Sequence, residues 1–380
     1  VPLKNYPPEI RPYIDRRGNR SVRQLTNQKC HHHHLHFTNS GWWDNNKKLL
    51  FSSDRGGRTN LYSVELATGQ IAQHTDSDQP PETPLLFASV NPKKPEAYLW
   101  RGNNLLAVDL IRNAERQIYR AEAKWIPTLT SVTADARFVT TSLYDNLSDR
   151  FPVDLFASGA GFTEYFEARP ESKIIAVPIE GGPAQELHKD RNWIGFTLAS
   201  PTQPHLLFFR HIGPPERVEQ PLFALDLRGG KPWQIRPKKH PAEKLKSIHW
   251  QADGESLAYH LQNSSGQHFL GSIRYDNQQL REIALPTDPG HIHCNSLDLI
   301  VADHRPDAIN RLIRLYRVSY ERLEGPRILA EHRASFNVQQ LHAHPRLSPD
   351  NKKVIFTSDR TGYAQIYEAE IMSFDTLPVQ

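Results

Sequence analysis

Cysteine is almost absent from this chain. The 380 residues hold two, Cys30 and Cys294, which excludes a disulfide framework and permits one bridge at most. Both lie beside histidines, so either thiol is a candidate metal ligand, while a small buried thiol near an inner strand is the simpler expectation. No apolar run approaches the roughly 18 residues needed to cross a membrane. No Lys/Arg run marks a nucleic-acid binder. The 46 basic and 42 acidic side chains leave a net charge of +4 with histidine neutral, a mild excess that suits an anionic substrate. No Gly-x-Ser-x-Gly occurs, so the nucleophile elbow of an α/β-hydrolase is missing. No secretory leader is visible, and the chain begins at Val1, not at a methionine, which fits removal of a segment. The cytoplasm or the periplasm of a bacterium is the expected compartment.

What the chain has is turns and repeats. Its 29 prolines and 20 glycines are scattered, as in many short strands joined by turns. Lys47-Lys48-Leu49-Leu50-Phe51-Ser52-Ser53-Asp54-Arg55-Gly56-Gly57 is echoed by Lys352-Lys353-Val354-Ile355-Phe356-Thr357-Ser358-Asp359-Arg360-Thr361-Gly362. An alternating strand follows each copy, and a His-x-His pair precedes each. Such internal repeats mean a propeller or a solenoid. Units near 37–76, 84–122, 127–190, 195–238, 246–288, 290–335 and 339–371 make seven. The reading is all-β: one seven-bladed β-propeller over 1–380, with 1–19 as an N-terminal extension and 144–172 as an insertion loop in the third blade, part helical around 162–166. The last unit lacks a fourth strand. Arg20 to Thr26 resembles an outer strand and is expected to complete that blade and close the ring, which removes exposed sheet edges.

Of the 19 histidines, His34, His36, His249, His291, His293, His342 and His344 fall on innermost strands that line the channel. Residues i and i+2 of a strand share a face, so His342 and His344 should point together, with the Gln339 carboxamide upstream. Mixed imidazole and amide donors suit Mn²⁺, Zn²⁺ or Ni²⁺ better than Ca²⁺. The tract His31 to His34 should place His34 and His36 at the same mouth, as substrate contacts or as the base.

At this point the whole chain resembles the oligogalacturonate lyase family, seven-bladed propellers that cleave polysaccharides. The resemblance rests on Gln339, His342, His344 and Pro345 (Gln-x-x-His-x-His-Pro), on His291 followed by Asn295, and on Phe37-Thr38-Asn39 ahead of Lys47 to Phe51. It extends to Trp193 with Gly195, to His211 with Gly213 and Pro214, and to Phe162, Glu164, Tyr165 and Phe166. It implies a divalent metal, Mn²⁺ being the family's usual ion, on His291, Gln339, His342 and His344. Three positions depart. The family's catalytic histidine falls on Ser247, with His249 two residues on. Its arginine after His-x-Gly-Pro falls on Pro221, with Arg217 and Arg210 nearby. Its histidine after Trp-x-Gly falls on Phe196. A changed uronate, a relocated base and lost activity all fit these departures.

The expected reaction is metal-assisted β-elimination of a uronate oligosaccharide. A cation beside the carboxylate acidifies the C5 proton, a neutral imidazole removes it, and an arginine fork holds the carboxylate. His249 is the first candidate base and His211 its rival, with Arg217 as the catalytic arginine. Arg210, His34, His36 and Tyr144 are expected at the substrate, and Tyr144 also as a proton donor to the leaving oxygen. The alternatives are a lyase acting on ulvan or other glucuronate-containing glycans, and a non-catalytic TolB-like binding propeller. A binding module has no need of the metal-ligand set.

Overall fold

Seven antiparallel sheets follow one another along the chain in a computed structural model, which describes residues 4–81, 85–151, 161–304 and 311–379. Each is a blade. Blades II to VI are built from consecutive segments, and their innermost strands are Ser89–Val90, Trp125–Pro127 with Ser131–Val132, Ile194–Ala199, Lys244–Trp250 and Ile292–Ser296. Blade I starts at His32–His34 and blade VII at Arg346–Leu347. The seven blades follow the seven repeat units. Apolar positions of facing sheets interlock between blades, as where Leu198 and Phe208 of blade IV meet Leu257 and Tyr259 of blade V.

The ring closes as the repeats imply, and with more chain than expected. Arg20–Gln24 pairs antiparallel with Gln365–Glu370, Val22 opposite Ala369. Arg11–Asp15, read from sequence as part of an extension, adds a further strand outside it. Asn5–Tyr6 crosses to the neighbouring blade I and pairs with Ile71–Gln73. The two best-preserved turns grip this segment from either side. Arg55 ion-pairs with Glu9 at 2.6 Å, and Arg360 hydrogen-bonds the Tyr13 hydroxyl. Gly56 and Gly362 supply the positive φ, +76° and +95°, that each turn requires.

The third-blade insertion leaves the strand Phe138–Asp145 and returns at Ser172–Pro178. Residues 152–160 of it lie outside the described residues. The expected helix is present at Phe162–Glu167. Tyr165 stacks on buried Trp193 with ring centroids 4.7 Å apart, and its hydroxyl donates to the Asp145 carbonyl. An aromatic pair of this kind adds about 0.5–1.5 kcal/mol beyond area burial. Gly213 passes so close beneath the helix that a Cβ there would lie 2.4 Å from the Phe166 ring. Among the described residues no helix is long and apolar enough to cross a membrane. Both cysteines are unpaired thiols.

Candidate metal centre and substrate cleft

The histidine motif converges, but not along a strand. Gln339–Leu341 is a turn of 3-10 helix, and His344 has a φ of +44°. Between them Ala343 is fully buried and its carbonyl accepts the Thr357 N–H at 2.9 Å. The expectation of a shared strand face is therefore wrong for His342 and His344, and a left-handed kink before Pro345 brings the rings together instead. His291, just ahead of the strand Ile292–Ser296, meets them. Its ring centroid lies 4.2 Å from that of His344 and 5.3 Å from that of His342. One donor atom from each of the three falls within 4.8 Å of the others. The Gln339 amide reaches His344 Nε2 at 3.0 Å, and its oxygen and nitrogen exchange places by a flip about one bond. Three imidazole nitrogens and an amide oxygen fit a borderline divalent ion.

Asp303 holds this cluster in shape and was not found from the sequence. It ends a short apolar strand, Leu299–Ala302, and is fully buried. Its carboxylate accepts from His291 Nδ1 at 2.8 Å and from the main-chain N–H groups of His291 and His344 at 2.7 and 3.2 Å. Burial by itself pushes the carboxyl's pKa up, but the charge and hydrogen bonds of His291, with His332, together outweigh it, so the group stays below its usual range. With Nδ1–H committed to Asp303, His291 presents the Nε2 lone pair to an ion.

The cluster lies where two cavities of about 400 and 250 Å³ meet, and both are lined by His36, Phe196 and Gln339. His34, Tyr144 and His344 line the larger, and Arg210, Lys246, Ser247, Asp288 and His291 the smaller. A larger void of about 680 Å³ sits at the opposite ends of the same inner strands, beside Arg346 and Trp250, away from the cluster. His36 Nδ1 meets the Thr38 hydroxyl at 2.6 Å and the Thr38 main-chain N–H at 3.5 Å, so Nε2 is its second ring nitrogen. Burial pushes His36 down to about 3, His291 adding to it, so the ring is neutral. His34 spends Nδ1 on the Leu35 carbonyl at 2.7 Å. Tyr144 is buried among Tyr165 and Trp193 and its hydroxyl is pushed up by that burial. Arg210 is half-buried, donates to the Leu245 carbonyl at 3.2 Å, and has no carboxylate within ion-pair distance among the described residues. Burial lowers it to about 10, which still leaves it charged.

Three candidates are elsewhere. His249 is on the inner strand as expected, yet its Nδ1 bonds the Ser247 carbonyl at 2.7 Å and its Nε2 accepts the Cys294 N–H at 3.0 Å. Both nitrogens are consumed by main chain, so His249 has none for a substrate. His211 and Arg217 line a separate cavity of about 530 Å³ beside the insertion helix. There His211 Nε2 faces Asp190 at 3.3 Å and Arg217 pairs with Glu167. Ser247 occupies a register break in its strand with a φ of +52°.

A seven-bladed propeller with a three-imidazole cluster at one channel mouth defines the class. Within that class the chain belongs to the oligogalacturonate lyase family, whose sequence profile matches residues 4–374. The oligogalacturonate lyase of Dickeya dadantii (strain 3937) is 24% identical over 347 residues, covering 85% of this chain and 86% of that one. The oligogalacturonide lyase of Pectobacterium atrosepticum is also 24% identical, over 345 residues and the same shares. A solved oligogalacturonate lyase in complex with manganese superposes with a TM-score of 0.86 at 22% identity, over 99% of this chain and 98% of that one. The enzyme from Vibrio parahaemolyticus gives 0.84 at 22%, over 98% and 99%. At these identities the superpositions speak for the fold.

Proposed function

We propose that the protein is a lyase that breaks uronate oligosaccharides of the oligogalacturonate kind by β-elimination. The observation that carries this reading is the convergence of His291, His342, His344 and Gln339, beside a half-buried arginine with no carboxylate partner among the described residues. Those four side chains would hold the divalent ion, manganese by family likeness. The ion supplies positive charge next to the substrate carboxylate, which makes the neighbouring C5 proton removable. Arg210 binds the same carboxylate through its guanidinium, whose burial strengthens the attraction.

His36 is the base that the geometry favours. It borders both cavities, and in the tautomer whose Nδ1–H donates to the Thr38 hydroxyl its Nε2 lone pair would accept the C5 proton. An anionic uronate beside it raises its proton affinity. Its ring lies against Phe196 at 5.5 Å, the position where the family resemblance implies a histidine, so His36 would supply an imidazole to the same place from the facing blade. As the C5–H pair forms the new double bond, the bond from C4 to the bridging oxygen breaks. Tyr144, in the wall of the larger cavity, would give that oxygen its proton.

The test is ultraviolet absorbance of unsaturated products from oligogalacturonate and from glucuronate-containing glycans, with chelated protein and after adding Mn²⁺. Metal-dependent absorbance on oligogalacturonate is expected. In His36→Ala turnover should fall by about 10²–10⁴-fold with metal content unchanged. A fully active His36→Ala would remove the base assignment, and silence on every substrate by metal-loaded protein would remove the lyase reading.

A further inference from the structure

A second group of metal-binding side chains stands one blade away. His260 lies in the second strand of blade V, Ser256–Gln262, and His268 opens the third, His268–Arg274. The tight hairpin between them is fixed by the Asn263 carboxamide, which accepts from Ser265 and Gln267 N–H groups at 3.1 and 2.9 Å. Asp288 comes from the connection into blade VI, three residues before His291. His260 Nε2 and His268 Nδ1 are 2.9 Å apart, and a carboxylate oxygen of Asp288 lies within 4.8 Å of a nitrogen of each ring. His260 is fully buried, and His268 and Asp288 are half-buried.

We infer that His260, His268 and Asp288 form a second divalent-metal site, selective for the zinc class of ions over calcium or magnesium. Two imidazoles and one carboxylate are the donor set of open zinc sites, and a lone carboxylate is too little oxygen for calcium. The spacing fits. Two nitrogens each about 2.05 Å from an ion stand about 2.9 Å apart at a right angle and about 3.4 Å apart at the tetrahedral angle. The rings need to open by no more than about 0.5 Å. Asp288 is already set. One carboxylate oxygen accepts Gly290 N–H at 2.9 Å, and its main-chain carbonyl accepts from His304 Nδ1 at 2.6 Å. Such outer contacts hold a ligand before the ion arrives.

Three protein ligands leave coordination positions open. Asp288 also lines the 250 Å³ cavity with Arg210, Lys246 and His291, so the open side faces the substrate cleft. Lys246 beside Asp288 adds positive charge, which disfavours ions held by charge alone and favours those that bond imidazole. On the uronate reading above, the open positions would take the carboxylate of a neighbouring sugar. The metal site itself stands without that reading.

The experiment is metal content. Chelated protein is reloaded with Zn²⁺, separated from free ion and assayed, and crystals are measured for anomalous scattering at the zinc edge. Two equivalents and two peaks are expected for the wild type. His268→Ala and His342→Ala should each keep one, losing different peaks, and zinc affinity at the second site should drop roughly 100-fold or more in His268→Ala. Asp288→Asn, of equal size, repeats the measurement if His268→Ala folds poorly. A single equivalent in wild type, or two that survive both His268→Ala and Asp288→Asn, would show that His260 and His268 share a hydrogen bond and nothing more. Loss of the His342 peak bears only on the first site.

Discussion

Most of what this protein does is decided by which nitrogen of each histidine is spoken for. His291 gives Nδ1 to Asp303, His36 gives it to Thr38, and His249 surrenders both. Asp303→Asn keeps the shape but weakens the hold on His291, so metal affinity should fall about 10- to 100-fold. Titration of chelated protein with Mn²⁺ measures it, and an unchanged affinity would deny Asp303 its orienting role. The buried rings also make stability depend on pH. Burial pushes His74, His249 and His332 each down to about 4, against about 6.5 in the unfolded chain. Below about 6.5 the unfolded chain binds protons that the folded one refuses. Stability therefore rises with pH between roughly 4 and 6.5, each ring contributing about 1.4 kcal/mol per pH unit. The unfolding midpoint of metal-free protein should drop stepwise from pH 7.5 to 6 to 5, and a flat profile would contradict this. The sequence exposed the histidines because their spacing repeats. It hid Asp303, a single carboxylate closing an apolar strand with no periodic signature, and it hid the fate of His249, which depends on a main-chain N–H from the next blade.

At the scale of elements, the blades were legible because a strand pattern repeats along the chain and a Ser-Asp-Arg turn marks the first and last of them. The segment Gln339 to His344 was not. An alternation of residues predicts a strand, but the 3-10 turn and the positive φ at His344 are set by Ala343 pairing with Thr357, a contact between distant residues. His211 and Arg217 were misplaced for a related reason. They are near Arg210 in sequence, and the strand carries them past the cleft to the cavity under the insertion helix. That helix rests on Gly213, and Gly213→Ala would drive a methyl into Phe166. A cost of about 1–3 kcal/mol is expected, with a raised KM and unchanged metal content. Phe166→Leu in the same chain should restore both stability and KM. An undisturbed KM in Gly213→Ala would separate the helix from the cleft.

Over the whole molecule, one seam organises the ring. Blade VII takes its inner strands from the C-terminal end of the chain and its outer strands, Arg20–Gln24 and Arg11–Asp15, from the N-terminal end. Arg23 and Glu368 pair across the join, with Glu368 buried. Removing residues 1–24 leaves Gln365–Glu370 an exposed edge and uncovers Val22's apolar neighbours Tyr367 and Ala369. A lower, broader unfolding transition and loss of the monodisperse species should follow, read by calorimetry and light scattering; a chain that keeps its midpoint would mean that the latch is dispensable. The candidate ligands and the candidate base sit beside this same seam, His291 entering blade VI, Gln339, His342 and His344 leading into blade VII, and His36 leaving the first strand of blade I. During synthesis, then, the ribosome delivers His36 early and the last imidazoles some three hundred residues later. The cluster at the channel mouth therefore cannot assemble until the final blade emerges and is fastened by the first strands, so its geometry depends on closure of the ring.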